Sequence, residues 1–243
     1  MPKNNLDIFI CADAKIEVPV KNGSYRVVSK GRLTKKDTGL RTTQAKCGDL
    51  KLDDGFYSAL WYMYHVWKNV KTPEYVGFCS SGMYFGFMDD VPDMDKTFSE
   101  VDAVLCNPFN FSGTILQQYG ESHNVKDIEL VGKLIKDYYP EYAEAYDLTM
   151  GINKFSPCNM FIMRKADFEA YCEFVFGVLD KFIEVIGTDI EKHISDNIAN
   201  YTTSNKDIKY QSMIGGFLGE RLLNVFVNKR FKNVRYYKPV CPR

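Results

Sequence analysis

A few groups of residues in this chain have types and spacings that could do chemistry. Asp93 and Asp95, in the run Asp89-Asp90-Val91-Pro92-Asp93-Met94-Asp95, form an Asp-x-Asp pair behind an apolar stretch. Hard carboxylate oxygens so spaced suit Mg2+ or Mn2+ held against a diphosphate. A chain this rich in aspartate also produces the spacing in an ordinary solvated turn. Lys35-Lys36-Asp37-Thr38-Gly39-Leu40-Arg41 sets a glycine among cations. Such a loop can grip phosphate through backbone N–H groups and charge, or it is a plain surface turn. His123 and Asp127 lie in Glu121-Ser122-His123-Asn124-Val125-Lys126-Asp127, just ahead of a helical pattern. Of the three histidines, His123 is the functional candidate, a hydrogen-bonding helix lead-in being its structural alternative. His65 falls in an aromatic helix and is expected to pack; His193 is expected to be solvated. No Ser/His/Asp or Cys/His spacing is diagnostic. Neither Gly-x-Gly-x-x-Gly nor a P-loop occurs, which leaves dinucleotide and ATP cradles unsupported.

The elements that must position these residues alternate between strand and helix. Leu6 to Cys11 reads as a buried first strand, and Tyr25 to Val28 as a second after the turn at Asn22-Gly23. Residues 29–52 are polar and read as an irregular excursion. Asp53 or Asp54 caps a helix predicted to run to Lys68. Strands are predicted at Tyr75–Cys79, Met83–Phe87, Ala103–Cys106 and Cys158–Met163. Helices are predicted over 125–150, split by Pro140, from Asp167 to Ile186, and from Ser212 to Val227. This order predicts a single α/β domain over residues 1–243 with a mainly parallel sheet. Its ligand site should lie outside the carboxyl ends of the strands, in the loops after Cys11, Cys79 and Cys106.

Composition narrows the function classes. With 243 residues the chain buries a core without disulfide or metal. Its 31 basic and 31 acidic side chains cancel, which argues against a non-specific nucleic-acid binder. Seven scattered cysteines with no Cys-x-x-Cys pair read as reduced thiols of a cytoplasmic protein. No leader-like or membrane-spanning apolar stretch is expected. Aromatic residues reach 14%, a surplus that suits lined clefts as well as cores.

Several segments, read in order, resemble a known family. They are Ile8-Phe9-Ile10-Cys11-Ala12, Asp37-Thr38-Gly39, Tyr57 through Leu60 to Val66-Trp67-Lys68-Asn69, and Tyr75-Val76-Gly77-Phe78-Cys79 with Tyr84-Phe85. Further on come His123 with Asp127, Tyr139-Pro140-Glu141-Tyr142, Asn159-Met160-Phe161-Ile162-Met163, and Gly216-Phe217-Leu218-Gly219-Glu220-Arg221-Leu222-Leu223-Asn224-Val225. Together they are similar to small bacterial glycosyltransferases of capsular and exopolysaccharide gene clusters, long catalogued as a domain of unknown function. The resemblance implies a GT-A-like fold, a nucleotide-sugar donor with a UDP-sugar foremost, and a polysaccharide or glycan acceptor. It places the donor nucleotide at Ala12, Asp13, Asp37, Thr38 and Gly39, and the sugar at Ser80 and Ser81. Arg221 joins the donor set, Glu220 orients the site, and His123 and Asp127 contact acceptor or phosphate. Mn2+ or Mg2+ at Asp93 and Asp95 is compatible with this scheme and not required by it.

The chain departs from the family's pattern at three places. Ser80-Ser81-Gly82-Met83 stands where the family carries His-Tyr-Arg-Arg; Ala59 stands where a glutamate is expected; Met213 stands near the place of an arginine. These losses of charge motivate one rival, a catalytically inactive nucleotide- or sugar-binding module. A second rival is a phage-type transferase that glycosylates a hydroxymethylated base in DNA. It would use Lys229-Arg230-Phe231-Lys232-Asn233-Val234-Arg235-Tyr236-Tyr237-Lys238 as a basic, aromatic groove. A solvated basic tail is the structural alternative for that stretch.

Overall fold

The longest apolar run fixes the middle of the sheet. Leu6–Ala12 forms β1, and all of it is buried. Leu6, Ile8, Ile10 and Ala12 enter one core, while Phe9 and Cys11 enter the other. Burial on both faces is what an interior strand between two helical layers requires. The computed structural model describes residues 5–12, 18–80 and 82–242.

After β1 come β2 (Tyr25–Ser29), the one-turn α1 (Lys35–Thr38) and β3 (Arg41–Gln44). Next are α2 (Asp54–Tyr57), α3 (Ala59–Asn69), β4 (Tyr75–Ser80), β5 (Tyr84–Phe85), α4 (Met94–Phe98), β6 (Ala103–Cys106) and β7 (Phe109–Asn110). The helices α5 (Ile115–Ser122), α6 (Val125–Tyr138) and α7 (Ala143–Gly151) lead to β8 (Lys154–Phe155) and β9 (Phe161–Arg164). The remainder is α8 (Lys165–Ile186), α9 (Ile190–Asp196), α10 (Ile208–Gln211), α11 (Ile214–Arg230), β10 (Val234–Tyr237) and β11 (Pro239–Val240).

Seven strands make one sheet in the order β10-β6-β9-β4-β1-β2-β3. β1 is parallel to β2 and β4, β2 to β3, and β6 to β10. β9 runs antiparallel between β4 and β6, so the sheet is mainly parallel with one reversed strand. That reversal follows from connectivity. β9 starts beside the β7–β8 ribbon, beyond the carboxyl end of β6, and must cross back. One face is packed by α3, α8 and α11, and the other by α4 with the β5–β11 ribbon. Among the described residues no helix is long and apolar enough to cross a membrane.

Several local expectations change, among them the strand expected at Cys158–Met163, which is found at Phe161–Arg164. The excursion over 29–52 contains β3, whose Arg-Thr-Thr-Gln sequence lacks apolar alternation because it is a half-exposed edge strand. Met83–Phe87 shortens to Tyr84–Phe85. The helix capped by Asp53 breaks at Ser58, where φ is +50° and ψ −128°.

Candidate functional site

The break at Ser58 is forced from behind. Helix α11 lays Gly215 and Gly216 against the α2–α3 junction. A Cβ on Gly216 would stand 2.7 Å from Ser58 Cβ, and one on Gly215 2.6 Å from the Phe56 ring. Only glycine permits this approach. It holds Ser58 in a sparsely populated conformation, a form of strain that often marks a working site.

In front of the junction lies a cleft of about 500 Å3. Cys11 and Ser80, at the carboxyl ends of the adjacent strands β1 and β4, form one side. Asp54, Gly55, Ser58, Ala59 and Tyr62 supply the second. The third is a stretch around α10 that presents Asp207, Lys209, Tyr210 and Met213. A larger groove of about 1080 Å3 adjoins it, sharing Asp54, Gly55 and Lys209 and continuing past Lys30 and Trp61 toward Glu191. Lys30 pairs with Asp54, and Asp207 Oδ1 accepts the Tyr210 N–H as the cap of α10.

The expected residues scatter around this cleft. Ser80 borders it. Ala12 is buried on the opposite face of β1 from Cys11. Asp13 and Ser81 lie outside the described residues. Asp37, Thr38 and Gly39 sit where the chain turns into β3, at the amino end of a strand parallel to β2, and border neither the cleft nor the groove. There Asp37 Oδ2 accepts from the Thr34 N–H and hydroxyl, and Gly39, with φ +75°, ends the turn. The acidic pair also lies away from the cleft. Asp93 caps α4 by accepting the Lys96 N–H, while Asp95 accepts from the hydroxyl of Tyr75, at the amino end of β4, and from Asn5 Nδ2, just ahead of β1.

His123 and Asp127 are buried, at 5% and 2% exposure. Burial pushes the His123 imidazole down to about 4, the hydrogen bond to Gln211 opposing. Asp127 accepts from Asn124 Nδ2 at 3.1 Å and lies 2.9 Å from His193 Nε2. Burial pushes its carboxyl up, with His193 pulling the other way. His193 is thus a partner of Asp127 and not a solvated side chain, a pairing across 66 positions that local polarity could not reveal.

Glu220 lies near the carboxyl end of β6. Its Oε1 accepts the Cys158 N–H at 2.9 Å, and Oε2 takes Arg221 Nη1 at 3.0 Å. Cys158 and Asn159 both adopt positive φ, 65° and 49°. Burial raises the Glu220 carboxyl, opposed by Arg221 and the Cys158 amide. Arg221 is itself buried between the rings of Tyr119 and Phe155 and bonded to Gln118, so it braces α11 against α5.

The basic stretch near β10 is partly neutralised. Arg230 bonds Asp167, Arg235 bonds Glu100, and the amides of Lys232 and Asn233 donate to Asp102. The cleft instead gathers Ser80, expected to face the sugar, with Ala59 and Met213, which entered only as departures from the family's pattern. Tyr62, Lys209 and Tyr210 carried no sequence signal.

Residues 7–232 match the model of a family described as "Domain of unknown function (DUF4422)". The fold is similar to that of the WbbM bifunctional glycosyltransferase in its apo structure, with a TM-score of 0.72 and 18% identity. That match covers 96% of this chain and 45% of that one, so the chain spans less than half of its neighbour's length. The mannosyltransferase Ktr4p from S. cerevisiae matches at a TM-score of 0.32 and 10% identity, over 79% of this chain and 57% of that one. No curated protein sequence matches. The likeness to WbbM shows a GT-A-like α/β fold.

Proposed function

This chain belongs to the family described as Domain of unknown function (DUF4422), and from its glycosyltransferase-like fold we propose that it transfers a sugar from a nucleotide-sugar donor to a glycan hydroxyl. The observation that carries this is the cleft at the carboxyl ends of β1 and β4. In an open α/β sheet that is where ligands enter. The donor nucleotide would occupy the cleft beside Cys11 and Tyr62, with its diphosphate toward Ser80 and the amino end of α3, where the helix dipole favours an anion. A UDP-sugar is the first donor to test, a polysaccharide precursor the first acceptor, and the cytoplasm the expected compartment. Glu220, positioned by the Cys158 amide, is the carboxylate we assign to orienting the acceptor side. Among the described residues no group of three or more metal-binding side chains exists. The cleft carboxylates Asp54 and Asp207 are engaged by Lys30 and by the α10 cap, so no step is routed through a metal.

A second reading is favoured by one finding. Ser80, Ala59 and Met213, at or near positions where the resembled pattern carries charge, line the same cleft, as a binding module without catalysis would show. Release of free nucleotide from UDP-, GDP-, dTDP- and CMP-sugars, with and without glycan acceptors and with Mn2+ or EDTA, separates the two. Acceptor-dependent release supports the transferase. Tight nucleotide binding with no release of any donor supports the module instead.

A further inference from the structure

Resting on the donor cleft proposed above, we propose that Lys209 is the residue that neutralises the donor's diphosphate, and that His123, acting through Gln211, is the positioning pair that holds Lys209 over the cleft. Among the described residues lining the cleft, Lys209 is the single cation. A leaving diphosphate needs charge neutralisation where negative charge develops. Lys30, a cation of the adjoining groove, is already paired with Asp54.

Lys209 rides on a strap. Tyr201 and Gln211 are buried, at 3% and 1%, and between them residues 202–210 are exposed apart from half-buried Thr203. A segment so exposed has little packing of its own to fix its position, so its anchors must do so. Thr202 Oγ1 donates to the Gly120 carbonyl at 2.8 Å. At the other end Gln211 Nε2 faces two carbonyls, Ser122 O at 3.1 Å and Asn205 O at 2.7 Å. Those contacts fix the donor end of the amide, so Oε1 must accept, and it lies 3.0 Å from His123 Nδ1. Neutral His123 therefore carries its proton on Nδ1. The imidazole also stacks on Phe217 of α11 at 3.9 Å and lies 6.1 Å from the ring of Tyr210, at 25° to it. Tyr210 stands next to Lys209 and faces the cleft. One buried ring thus joins the rigid helix α11 to the exposed wall of the cleft. This accounts for a histidine that is placed near the site and yet too deeply buried to touch a substrate.

The test compares binding of UDP with uridine, and of GDP with guanosine, by calorimetry on the full chain. The wild type should bind one diphosphate more tightly than its nucleoside. Lys209→Met, an exposed substitution, should weaken the diphosphate by about tenfold or more, as loss of a charge-assisted contact does, and leave the nucleoside unchanged. Gln211→Glu keeps the side-chain size but removes both N–H donors. It should lower the same diphosphate preference and speed amide exchange across 202–210. A merely structural role would weaken nucleoside and diphosphate alike. If Lys209→Met keeps the wild-type ratio of diphosphate to nucleoside affinity, the inference is overturned while the donor cleft stands. If the wild type binds none of the four ligands, the donor cleft and this inference fall together.

Discussion

At the amino ends of the strands, Asp7 is buried between Arg41 and Arg26, Asp93 caps α4 and Asp95 holds Tyr75. At the carboxyl ends, Ser80, Tyr62 and Lys209 border an open cleft. The first region holds the acidic pair whose spacing advertised a metal, and its carboxylates serve the fold. The second is lined by residues of unremarkable type, and its polar groups face a space large enough for a nucleotide. Carboxylates are therefore poor guides to a site until their partners are known. Substitutions at the amino ends should move stability and spare ligand binding, and those at the cleft should do the reverse.

The sharpest trial is Asp7→Asn, which leaves the partly buried Arg26 and its neighbour Arg41 without their carboxylate. Denaturant unfolding should show a loss of about 3 kcal/mol, the low end for breaking a buried pair because Arg41 is half-exposed, with nucleotide affinity retained by the protein that remains folded. Next is acid. The folded His123 has its pKa depressed from 6.5 to about 4, so its neutral form adds stability that is complete above pH 6.5. That stability falls as the pH drops and is gone below about 4, a change on the order of 3 kcal/mol. Asp127, whose carboxyl is pushed up, acts in the opposite sense. The His123 share is therefore read as the difference between the wild type and His123→Asn across that pH window. Gly216→Val tests the boundary between the two behaviours, because its new side chain presses on Ser58 behind the cleft. It should cost about 2 kcal/mol of stability and weaken nucleotide binding as well, seen by unfolding and calorimetry together. The smallest effect is expected from Asp93→Ala. Loss of the α4 cap should cost about 1 kcal/mol and leave nucleotide binding and its response to EDTA unchanged. A change in either would return that pair to the site.

Legibility in the sequence followed the range of the interactions involved. The interior strands β1 and β4 and the long amphipathic α8 could be read directly, since burial of one face or both leaves a pattern in consecutive residues. The edge strands β3 and β10 could not, because a half-exposed edge tolerates polar residues. The split between α2 and α3 was also hidden: its cause is the approach of Gly215 and Gly216 from a distant helix. Glu220 was visible as a candidate, but its bond to the Cys158 amide was not.

By itself, then, the sequence determined the class of fold, the end of the sheet where a ligand should enter, and the family resemblance that pointed to sugar transfer. These depend on local hydrophobic periodicity and on ordered blocks of residues. Which polar side chains face the cleft was decided only by tertiary structure. A side chain's chemistry says what it can donate or accept, whereas packing between distant segments selects its partner: His193 meets Asp127, Gln211 meets His123, and Asp95 meets Tyr75. The same packing brings Cys11, Ser80, Tyr62 and Lys209 to one candidate cleft at the carboxyl ends of the strands.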